Sequence, residues 1–239
     1  MKTLIVIPTY NEADNVERLL GRLMNVDPGI EVLVVDDNSP DGTGDLVGSF
    51  ARKNPRIHLL RRPGKQGLGP AYLAGFQWGL ARDYDLFMEM DADLSHRPRY
   101  LPVFFEKIKN CDIVVGSRWM RGGKIVNWPV YRVLLSQMAS LYSKIILGVS
   151  VNDMTAGYIC YRRKVLETID LDNIHSDGYC FQIEMKYRAL QKGFKIIETP
   201  ILFTDRKAGD SKISRHIVFE ALLKVWWFRF QKNRFRMTG

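Results

Sequence analysis

Residues 4–37 read LIVIPTYNEADNVERLLGRLMNVDPGIEVLVVDD, and this stretch decides the fold. Residues 4–7 and 32–35 are short apolar runs of the kind that form buried strands. Between them, apolar residues recur with the spacing of one helix face: Val16, Leu19, Leu20, Leu23 and Met24. The stretch therefore predicts a strand, a helix and a second strand.

The same alternation continues along the chain. Further strands are predicted at residues 57–60, 86–90, 113–115, 158–161 and 195–197. A second helix is predicted after Asp41, which would cap its start. Further helices are predicted at residues 70–81, 98–109, 131–147, 177–191 and 213–229. This alternation predicts an α/β fold with a mostly parallel central sheet and helices on both faces. No repeat or linker interrupts the 239 residues, so we expect a single domain.

The composition limits the partners. Lysine and arginine number 35 against 26 acidic residues, and an excess of this sign suits a nucleotide, a nucleic acid or an anionic lipid surface. Three widely spaced cysteines, Cys111, Cys160 and Cys180, support neither a disulfide framework nor a zinc site, which favours a reducing cytosol. No stretch approaches the roughly 20 apolar residues that span a bilayer, so we expect any action on lipid to occur at a membrane surface.

Ligands of open α/β sheets bind beyond the carboxyl ends of the strands. The sharpest candidate there is Asp91-Ala92-Asp93, which follows the predicted strand at 86–90. Two carboxylates that flank one residue can face one cation, and hard oxygen ligands suit Mg²⁺ or Mn²⁺. Such an ion bridges a diphosphate and neutralises charge on a leaving nucleotide. The alternative is a solvated loop that caps a helix.

Two other motifs follow the first two strands. In residues 8–12, PTYNE, Tyr10 offers a ring for stacking on a base, and the alternative is a simple turn into a helix. Asp36 and Asp37 end the second strand, where one acid would face ribose or base and the alternative is turn chemistry. The basic, glycine-rich loop at 61–69 could approach phosphates through its backbone, or be a solvated loop without P-loop spacing.

Basic residues of the second half are candidates for anion binding. Arg118 follows the strand at 113–115, and Arg132 and Ser136 share one face of a helix. A guanidinium binds phosphate through two parallel hydrogen bonds, so the three could hold one phosphate, although each could also be a surface residue. The loop at 205–212, DRKAGDSK, suits a lid over a diphosphate or is an exposed charged loop.

The last stretch, residues 217–236, mixes large apolar side chains with basic ones and contains Trp226 and Trp227. A basic amphipathic helix with adjacent tryptophans is typical of a membrane interface. The alternative is a terminal helix that docks on the core.

In this order the motifs resemble those of the dolichol- or polyprenol-phosphate mannose synthases, which belong to glycosyltransferase family two and have the GT-A fold. The matching elements are PTYNE from Pro8, VVDDNSPDGT from Val34, MDADLSH from Met90, GSR from Gly116 and RxxGxSK from Arg206. The first three with this spacing are specific for family two, and the long second and third motifs indicate its polyprenyl-phosphate branch. The chain resembles the short form of the family, which has no transmembrane helices. Some short-form members depend on a small membrane-anchor partner.

The resemblance implies a role for each group of motif residues. The nucleotide-sugar would be bound by Pro8, Tyr10, Glu12, Asp37, Asp91, Ala92, Asp93, Arg206 and Lys212. The metal would be held by Asp91 and Asp93, and the acceptor phosphate by Arg118, Arg132 and Ser136. The residues expected to be catalytic are Asp91, Asp93, Arg118 and Arg206. Ser95 stands where some members carry a glutamine ligand, which leaves a third protein ligand open.

The implied reaction is an inverting transfer of mannose from GDP-mannose to polyprenyl or dolichyl phosphate, on the cytoplasmic face of a membrane and without nucleic acid. We expect residues 1–118 to form the nucleotide-sugar and metal half, 119–212 the acceptor half, and 213–239 an interfacial helix and tail. The alternatives are a UDP-linked glucose or N-acetylglucosamine donor and, more remotely, a non-catalytic phosphate-binding module. An acceptor phosphate is already anionic at neutral pH, so no catalytic base is expected, and Asp153 is the acid to examine for that role.

Overall fold

A computed structural model describes residues 1–204 and 215–237, with residues 215–221 and 236–237 described by their helical backbone alone. Its strands are β1 (Thr3–Thr9), β2 (Ile30–Asp36), β3 (Ile57–Arg61), β4 (Leu86–Glu89), β5 (Ile113–Ser117), β6 (Lys124–Val126), β7 (Ile159–Arg162), β8 (Ile196–Pro200) and β9 (Leu202–Thr204). Its helices are α1 (Ala13–Met24), α2 (Thr43–Lys53), α3 (Leu68–Leu80), α4 (Leu101–Lys107), α5 (Val130–Leu147), α6 (Arg163–Thr168), α7 (Gly178–Gln191), α8 (Arg215–Phe230) and α9 (Lys232–Met237). Each element predicted from the apolar pattern is present, and the short β6, α6, β9 and α9 are additions to it.

The central sheet of the described residues has the strand order β3-β2-β1-β4-β7-β5-β8. Its pairs are parallel except those of β7, which lies antiparallel between β4 and β5. The predicted α/β fold with a mostly parallel sheet is confirmed. A run of four apolar residues carries no information on partner or direction, so the sequence could not reveal the insertion of β7. The strands β6 and β9 form a separate parallel pair.

Helices cover both faces of the sheet, as predicted. On one face α1 buries Val16, Leu19, Leu20 and Leu23 against the sheet, and α2 and α4 lie beside it. On the other face lie α3, α6 and α7. Each fully buried leucine contributes about 1.5–3 kcal/mol. Gly75 lets α3 approach β1 closely, because a Cβ at this position would lie 2.3 Å from a methyl carbon of Val6.

A third apolar cluster joins α5, α8 and α9 to the outer side of α7. Its buried members are Leu147, Val151, Met154, Ile183, Tyr187, Val225, Phe228 and Phe235. The last predicted helix therefore docks on the core through one face. It begins at Arg215 in the described part of the chain, and the predicted start at residues 213–214 lies outside that part. None of the helices that the structure describes has the length and apolar character needed to cross a bilayer.

Candidate active site

A cavity of about 430 Å³ opens at the carboxyl ends of β1, β2, β4 and β5, and we call it the polar cavity. The predicted site residues that line it are Pro8, Tyr10, Glu12, Asp37, Asp91, Ala92, Asp93, Arg118 and Arg132. Ser136 lines a second cavity beside it. Arg206 and Lys212, predicted to bind the donor phosphates, lie outside the described residues.

The two adjacent acids after β2 have different surroundings. Asp36 is part of a turn: one carboxylate oxygen accepts a hydrogen bond from the hydroxyl of Thr9 at 2.9 Å, and the other accepts one from the backbone N–H of Ser39 at 3.1 Å. Asp37 lines the polar cavity and lies 3.2 Å from Nε of Arg62. Burial raises the pKa of Asp37, although Arg62 acts in the opposite direction. The sequence left two alternatives for this pair, a turn or contact with a ligand. In the structure Asp36 belongs to the turn, and Asp37 lines the cavity.

The PTYNE segment places its aromatic ring at the mouth of the cavity. Nζ of Lys65 lies 4.3 Å from the centre of the Tyr10 ring. The N-cap of α1 is Glu12, whose side chain accepts a hydrogen bond from Asn15 at 2.8 Å. Asp41 is not the N-cap of α2, which is Gly42, but its two oxygens accept the backbone N–H groups of Thr43 and Ala13. Asp41 therefore ties the starts of α1 and α2 together.

The two acids after β4 are held in place by their own loop. Leu94 adopts the left-handed conformation (φ 64°), and the N–H of Ser95 donates to Asp93 at 3.0 Å. The hydroxyl of Tyr72 donates to Asp91 at 3.3 Å, and the side chain of Asp91 is 37% exposed. Both acids line the cavity, whereas Ser95 is buried and does not. Among the residues described, no group of three or more His, Cys, Asp or Glu side chains is arranged to hold a metal.

A buried histidine supports this loop from behind. Nδ1 of His96 accepts the backbone N–H of Asp91 at 3.0 Å, and its ring stacks on Tyr158 with centres 4.8 Å apart. Burial lowers the pKa of His96 to about 4, so the ring is neutral at pH 7. Because Nδ1 accepts, Nε2 carries the proton and is a donor.

Arg118 forms a buried ion pair with Asp153. Its Nε donates to Asp153 at 2.8 Å and its Nη2 at 2.7 Å, and Nη2 also donates to Thr155 at 2.8 Å. Burial alone would raise the pKa of Asp153, but Arg118 lowers it below its ordinary value. Asp153 is fully buried, does not line the polar cavity and accepts three hydrogen bonds from Arg118. Asp153 therefore fixes the orientation of the Arg118 side chain and is separated from the polar cavity.

A second buried network lies under the cavity floor. Glu89 accepts hydrogen bonds from the hydroxyl of Tyr161 at 2.8 Å and from the side-chain amide of Gln182. Burial raises the pKa of Glu89 to about 7, although Gln182, Lys186 and Tyr161 favour its carboxylate. Nζ of Lys186 donates to the backbone carbonyls of Met154 and Ala156 at 3.1 and 2.7 Å, and burial lowers its pKa to about 8. Lys186 thereby fastens the loop at 154–156 to α7.

The second cavity, of about 280 Å³, lies between α5, α7 and α8, and we call it the apolar cavity. The aliphatic part of its lining consists of Leu135, Met138, Ala139, Ile183, Leu222 and Val225. It shares Trp128, Arg132, Thr155 and Tyr179 with the polar cavity. Arg132 lies over the ring of Trp128 at 4.1 Å. The buried hydroxyl of Ser136 has no hydrogen-bond partner among the described residues.

The outer faces of α5 and α8 are apolar and exposed. On α5 the exposed residues are Val130, Tyr131, Leu134, Leu135, Met138, Leu141 and Ile145. On α8 they are Leu222, Leu223, Trp226, Trp227 and Phe230. The periodic pattern of α5 predicted a helix, but it did not distinguish a buried face from an exposed one.

Several lining residues were not predicted as site residues. Gln182, Thr155, Gly157, Tyr179 and Trp128 belong to none of the quoted motifs. Lys65 and Gly67 lie in the glycine-rich loop, which did give a signal. Gly67 adopts φ +109°, and a Cβ there would lie 2.3 Å from a carboxylate oxygen of Asp177, so this position requires glycine.

Known proteins resemble this chain along most of its length. The family model described as Glycosyl transferase family 2 matches residues 4–170. The undecaprenyl-phosphate mannosyltransferase of Micrococcus luteus is 50% identical over 225 residues, which cover 94% of this chain and 93% of that protein. The polyprenol monophosphomannose synthase of Mycolicibacterium smegmatis is 48% identical over 239 residues, which cover 98% of this chain and 90% of that protein.

A solved structure shows the same fold at low sequence identity. It is the glucosyl-3-phosphoglycerate synthase of Mycobacterium tuberculosis in complex with Mn²⁺, UDP and glucosyl-3-phosphoglycerate. The TM-score is 0.66 at 16% identity, and the match covers 97% of this chain and 79% of that chain. The predicted GT-A fold is thereby confirmed.

Proposed function

The chain belongs to glycosyl transferase family 2, and we propose that it transfers mannose from GDP-mannose to the phosphate of a polyprenol. Family membership makes it a glycosyltransferase, so the interpretation as a non-catalytic phosphate-binding module is not needed. The two curated relatives act, by their names, on undecaprenyl phosphate and on a polyprenol. Their high identity over nearly the whole chain supports the same acceptor class here.

The observation that carries the proposal is the junction of the two cavities. A polyprenyl phosphate has an anionic head and an apolar tail. The polar cavity offers Arg132 and the Nη1 group of Arg118 to the head, while the apolar cavity offers an aliphatic lining to the tail. Ser136 adds a buried hydroxyl beside Arg132. An acceptor that lies across the junction would place its phosphate at the edge of the polar cavity and its tail between α5 and α8.

A divalent cation fits the polar cavity as part of the donor complex. Asp91 and Asp93 supply two hard oxygen ligands, and the diphosphate and water would supply the others. When bound, Mg²⁺ or Mn²⁺ neutralises charge on the departing diphosphate. The Mn²⁺ in the related fold is consistent with this donor set. Ser95 is buried away from the cavity, so we propose that the protein contributes two ligands rather than three.

The nucleoside would lie at the ends of β1 and β2. Tyr10 offers a ring face, and Asp37 offers a carboxylate to the ribose or base. Pro8 and Glu12 complete this part of the lining. We assign the nucleotide-sugar and the metal to residues 1–118 and the acceptor to residues 119–212, whose Arg206 and Lys212 would contact the donor phosphates.

The reaction needs no side chain that removes a proton. The second pKa of a phosphate monoester is about 6, so the acceptor is already a nucleophile at neutral pH. The positive charge of Arg118 and Arg132 would lower that pKa further and hold the attacking oxygen in line with the sugar carbon. The hydrogen bonds to Asp153 keep the guanidinium group of Arg118 oriented to bind the phosphate. A direct displacement inverts the anomeric centre, so an α-linked donor gives a β-linked product.

We propose that the protein works as a peripheral protein on the cytoplasmic face of a membrane. The exposed apolar faces of α5 and α8 support contact with lipid, and Trp226 and Trp227 are typical of the interface. The requirement for a small anchor subunit stays a prediction from the resemblance.

One assay tests the function. Purified protein is incubated with GDP-mannose and polyprenyl phosphates of short and long chain, with Mg²⁺, with Mn²⁺ and with EDTA, and the product is analysed by mass spectrometry and NMR. We expect metal-dependent formation of β-linked mannosyl phosphate. Parallel reactions with UDP-glucose and UDP-N-acetylglucosamine test the alternative donors. A preference for either UDP-sugar would contradict the assignment of mannose.

A further inference from the structure

An exposed tyrosine lies at the junction of the two cavities, and the proposed function has not yet used it. Four residues line both cavities: Trp128, Arg132, Thr155 and Tyr179. Tyr179 is 37% exposed, whereas Thr155 is 5% exposed. The hydroxyl of Thr155 already accepts a hydrogen bond from Nη2 of Arg118 at 2.8 Å. Of these two hydroxyl-bearing side chains, Tyr179 is therefore the one that a ligand can reach.

The start of α7 holds this tyrosine in a fixed place. Tyr179 is the second residue of α7, and the N-cap of the helix is Asp177. The carboxylate of Asp177 accepts the backbone N–H of Gly69 at 2.8 Å, which ties the start of α7 to the start of α3. The next two residues, Cys180 and Phe181, are buried in the core. The backbone at Tyr179 is therefore anchored on the core side, while its own side chain stays exposed.

The spacing along α7 places Tyr179 on the boundary between the two cavities. Gln182, three residues further on, lines the polar cavity, and Ile183, four residues further on, lines the apolar cavity. Residues three and four apart are neighbours on one helix face, so Tyr179 begins the line along which the two linings meet. A tyrosine combines an apolar ring with a polar hydroxyl, and such a side chain matches both linings.

The electrostatics of Arg118 locate the hydroxyl of Tyr179. Burial acts to lower the pKa of Arg118, but the charge of Asp153 raises it above its ordinary value, and Tyr179 and Asp91 act in the same direction as Asp153. The charge of a tyrosine resides on its phenolic oxygen, so this oxygen lies within electrostatic range of the guanidinium group. Arg118 and Arg132 are the residues proposed to hold the acceptor phosphate. The hydroxyl of Tyr179 therefore borders the proposed position of that phosphate.

We propose that the hydroxyl of Tyr179 donates a hydrogen bond to the acceptor phosphate while its ring contacts the first part of the prenyl chain. This inference rests on the proposed function and adds an acceptor-binding residue to it. A phosphate has three oxygens that accept strong hydrogen bonds, so it accommodates a phenolic donor beside the guanidinium groups. The nucleotide-sugar is a poorer match, because its proposed site lies in the polar cavity, whereas Tyr179 lines both cavities.

The test compares two ligands that differ only in the phosphate. Tyr179→Phe keeps the ring and removes the hydroxyl, and the Kd values of farnesyl phosphate and of farnesol are measured by calorimetry. Loss of one hydrogen bond to a charged group should raise the Kd of farnesyl phosphate about tenfold. The Kd of farnesol should stay the same, because farnesol has no phosphate for the hydroxyl to bind. Binding of GDP with Mn²⁺ should also be unchanged.

Two further variants separate phosphate binding from packing. Tyr179→Leu lacks the ring as well, and it should reduce the preference for farnesyl phosphate over farnesol by the same factor as Tyr179→Phe. Tyr187→Phe is the matched control, because Tyr187 lies on the same helix, is buried and lines neither cavity. The control should bind both ligands like the wild type. In steady-state kinetics Tyr179→Phe should raise the KM for polyprenyl phosphate about tenfold and leave the KM for the nucleotide-sugar unchanged.

The outcomes distinguish this inference from the proposed function. Equal weakening of farnesyl phosphate and farnesol in the Tyr179 variants would show that the side chain contributes only packing and would overturn the inference. An increase confined to the KM for the nucleotide-sugar would overturn it as well, because the tyrosine would then contact the donor. If the wild type prefers farnesyl phosphate through Tyr179 but transfers no mannose, the phosphate contact is supported and the proposed transfer of mannose is wrong.

Discussion

The polar cavity and the apolar cavity meet at Arg132 and Trp128, but their walls are built differently. In the polar cavity the side chains are held by hydrogen bonds, as with Asp93 in its own loop and Arg118 on Asp153. In the apolar cavity the walls are aliphatic side chains on helices whose outer faces are exposed. For the proposed acceptor, this difference predicts that precise placement matters for the reacting groups, whereas the prenyl tail needs only a surface of matching polarity.

This comparison predicts two kinds of variant. Changes in the polar cavity should affect transfer to every acceptor, because they act on the reacting groups. Changes in the apolar cavity should affect only acceptors whose tail is long enough to reach it.

The largest effect is expected at the paired acids. If Asp91 holds the metal as proposed, Asp91→Asn removes a charged oxygen ligand, and the loss of several kcal/mol of transition-state stabilisation corresponds to a rate about a thousandfold lower. The loss should be the same with short and long acceptors. Because the side chain of Asp91 is more than a third exposed, the melting temperature should barely change. Asp93→Asn should behave alike, and the exposed Asp83→Asn should remain fully active. If Asp91→Asn keeps a near-normal rate that EDTA still abolishes, the assignment of Asp91 as a metal ligand is wrong.

The second prediction separates the two arginines. Arg118→Ala leaves Asp153 buried without its partner, which should lower the free energy of unfolding by about 3–5 kcal/mol in urea titrations. Arg132→Ala should change this free energy little, because Arg132 is only partly buried. An Arg118→Ala protein as stable as the wild type would contradict the structural importance of the pair.

The pH dependence of the same variant gives a further check. The pKa of Asp153 is lowered in the folded protein, so its contribution to stability is complete above the unfolded pKa, about 3.9, and is lost as the pH falls through the lower folded value. Without Arg118, burial should raise this pKa, and the unpaired acid should take up a proton as the pH falls. The difference in stability between the wild type and Arg118→Ala should therefore be larger at neutral pH than in acid.

The third prediction concerns the acceptor phosphate. Arg132→Ala removes a charged donor at the junction, and the KM for polyprenyl phosphate should rise about tenfold or more. The KM for the nucleotide-sugar should stay the same, because the proposed donor site is formed by other residues. Steady-state kinetics with one substrate varied at a time measure both values. An increase confined to the KM for the nucleotide-sugar would indicate that Arg132 contacts the donor and not the acceptor.

The fourth prediction tests the tail. Leu222 lines the apolar cavity, so Leu222→Ser should reduce the preference for long over short acceptors by about tenfold, which is about 1.4 kcal/mol and slightly below the value of one fully buried aliphatic side chain. Leu223 is its neighbour on α8 but does not line the cavity, which makes Leu223→Ser the matched control. Both should be assayed with detergent-dispersed acceptors. If the two variants lose chain-length preference equally, the tail does not occupy the apolar cavity.

The smallest effect is expected at the outer surface. Replacing Trp226 and Trp227 with serine should weaken sedimentation with anionic liposomes severalfold and leave transfer to a short, soluble acceptor unchanged. Salt should weaken the binding of both proteins, since each basic residue near such a surface contributes about 1 kcal/mol that salt screens. Unchanged sedimentation of the double variant would contradict a membrane role for this face of α8.

Two helices show how far the sequence could be interpreted. Both α1 and α5 have apolar residues at helical spacing, and both are helices in the structure. The stripe of α1 is buried against the sheet, whereas Met138 and Ile145 of α5 are mostly exposed. Periodicity specifies the faces of a helix, but it does not specify whether protein or another apolar partner covers them.

The sequence by itself determined the order of strands and helices, and that Asp37, Asp91 and Asp93 follow strands whose ends meet at one edge. These are local properties, because they depend on residues that are adjacent or one helical turn apart. Only the tertiary structure decided that Arg118 is paired with Asp153 and that Gln182 lines the polar cavity. The physical reason is that these contacts join residues 35 or more positions apart, as from Arg118 to Asp153 and from Gln182 to Glu89, and depend on how the helices pack on the sheet.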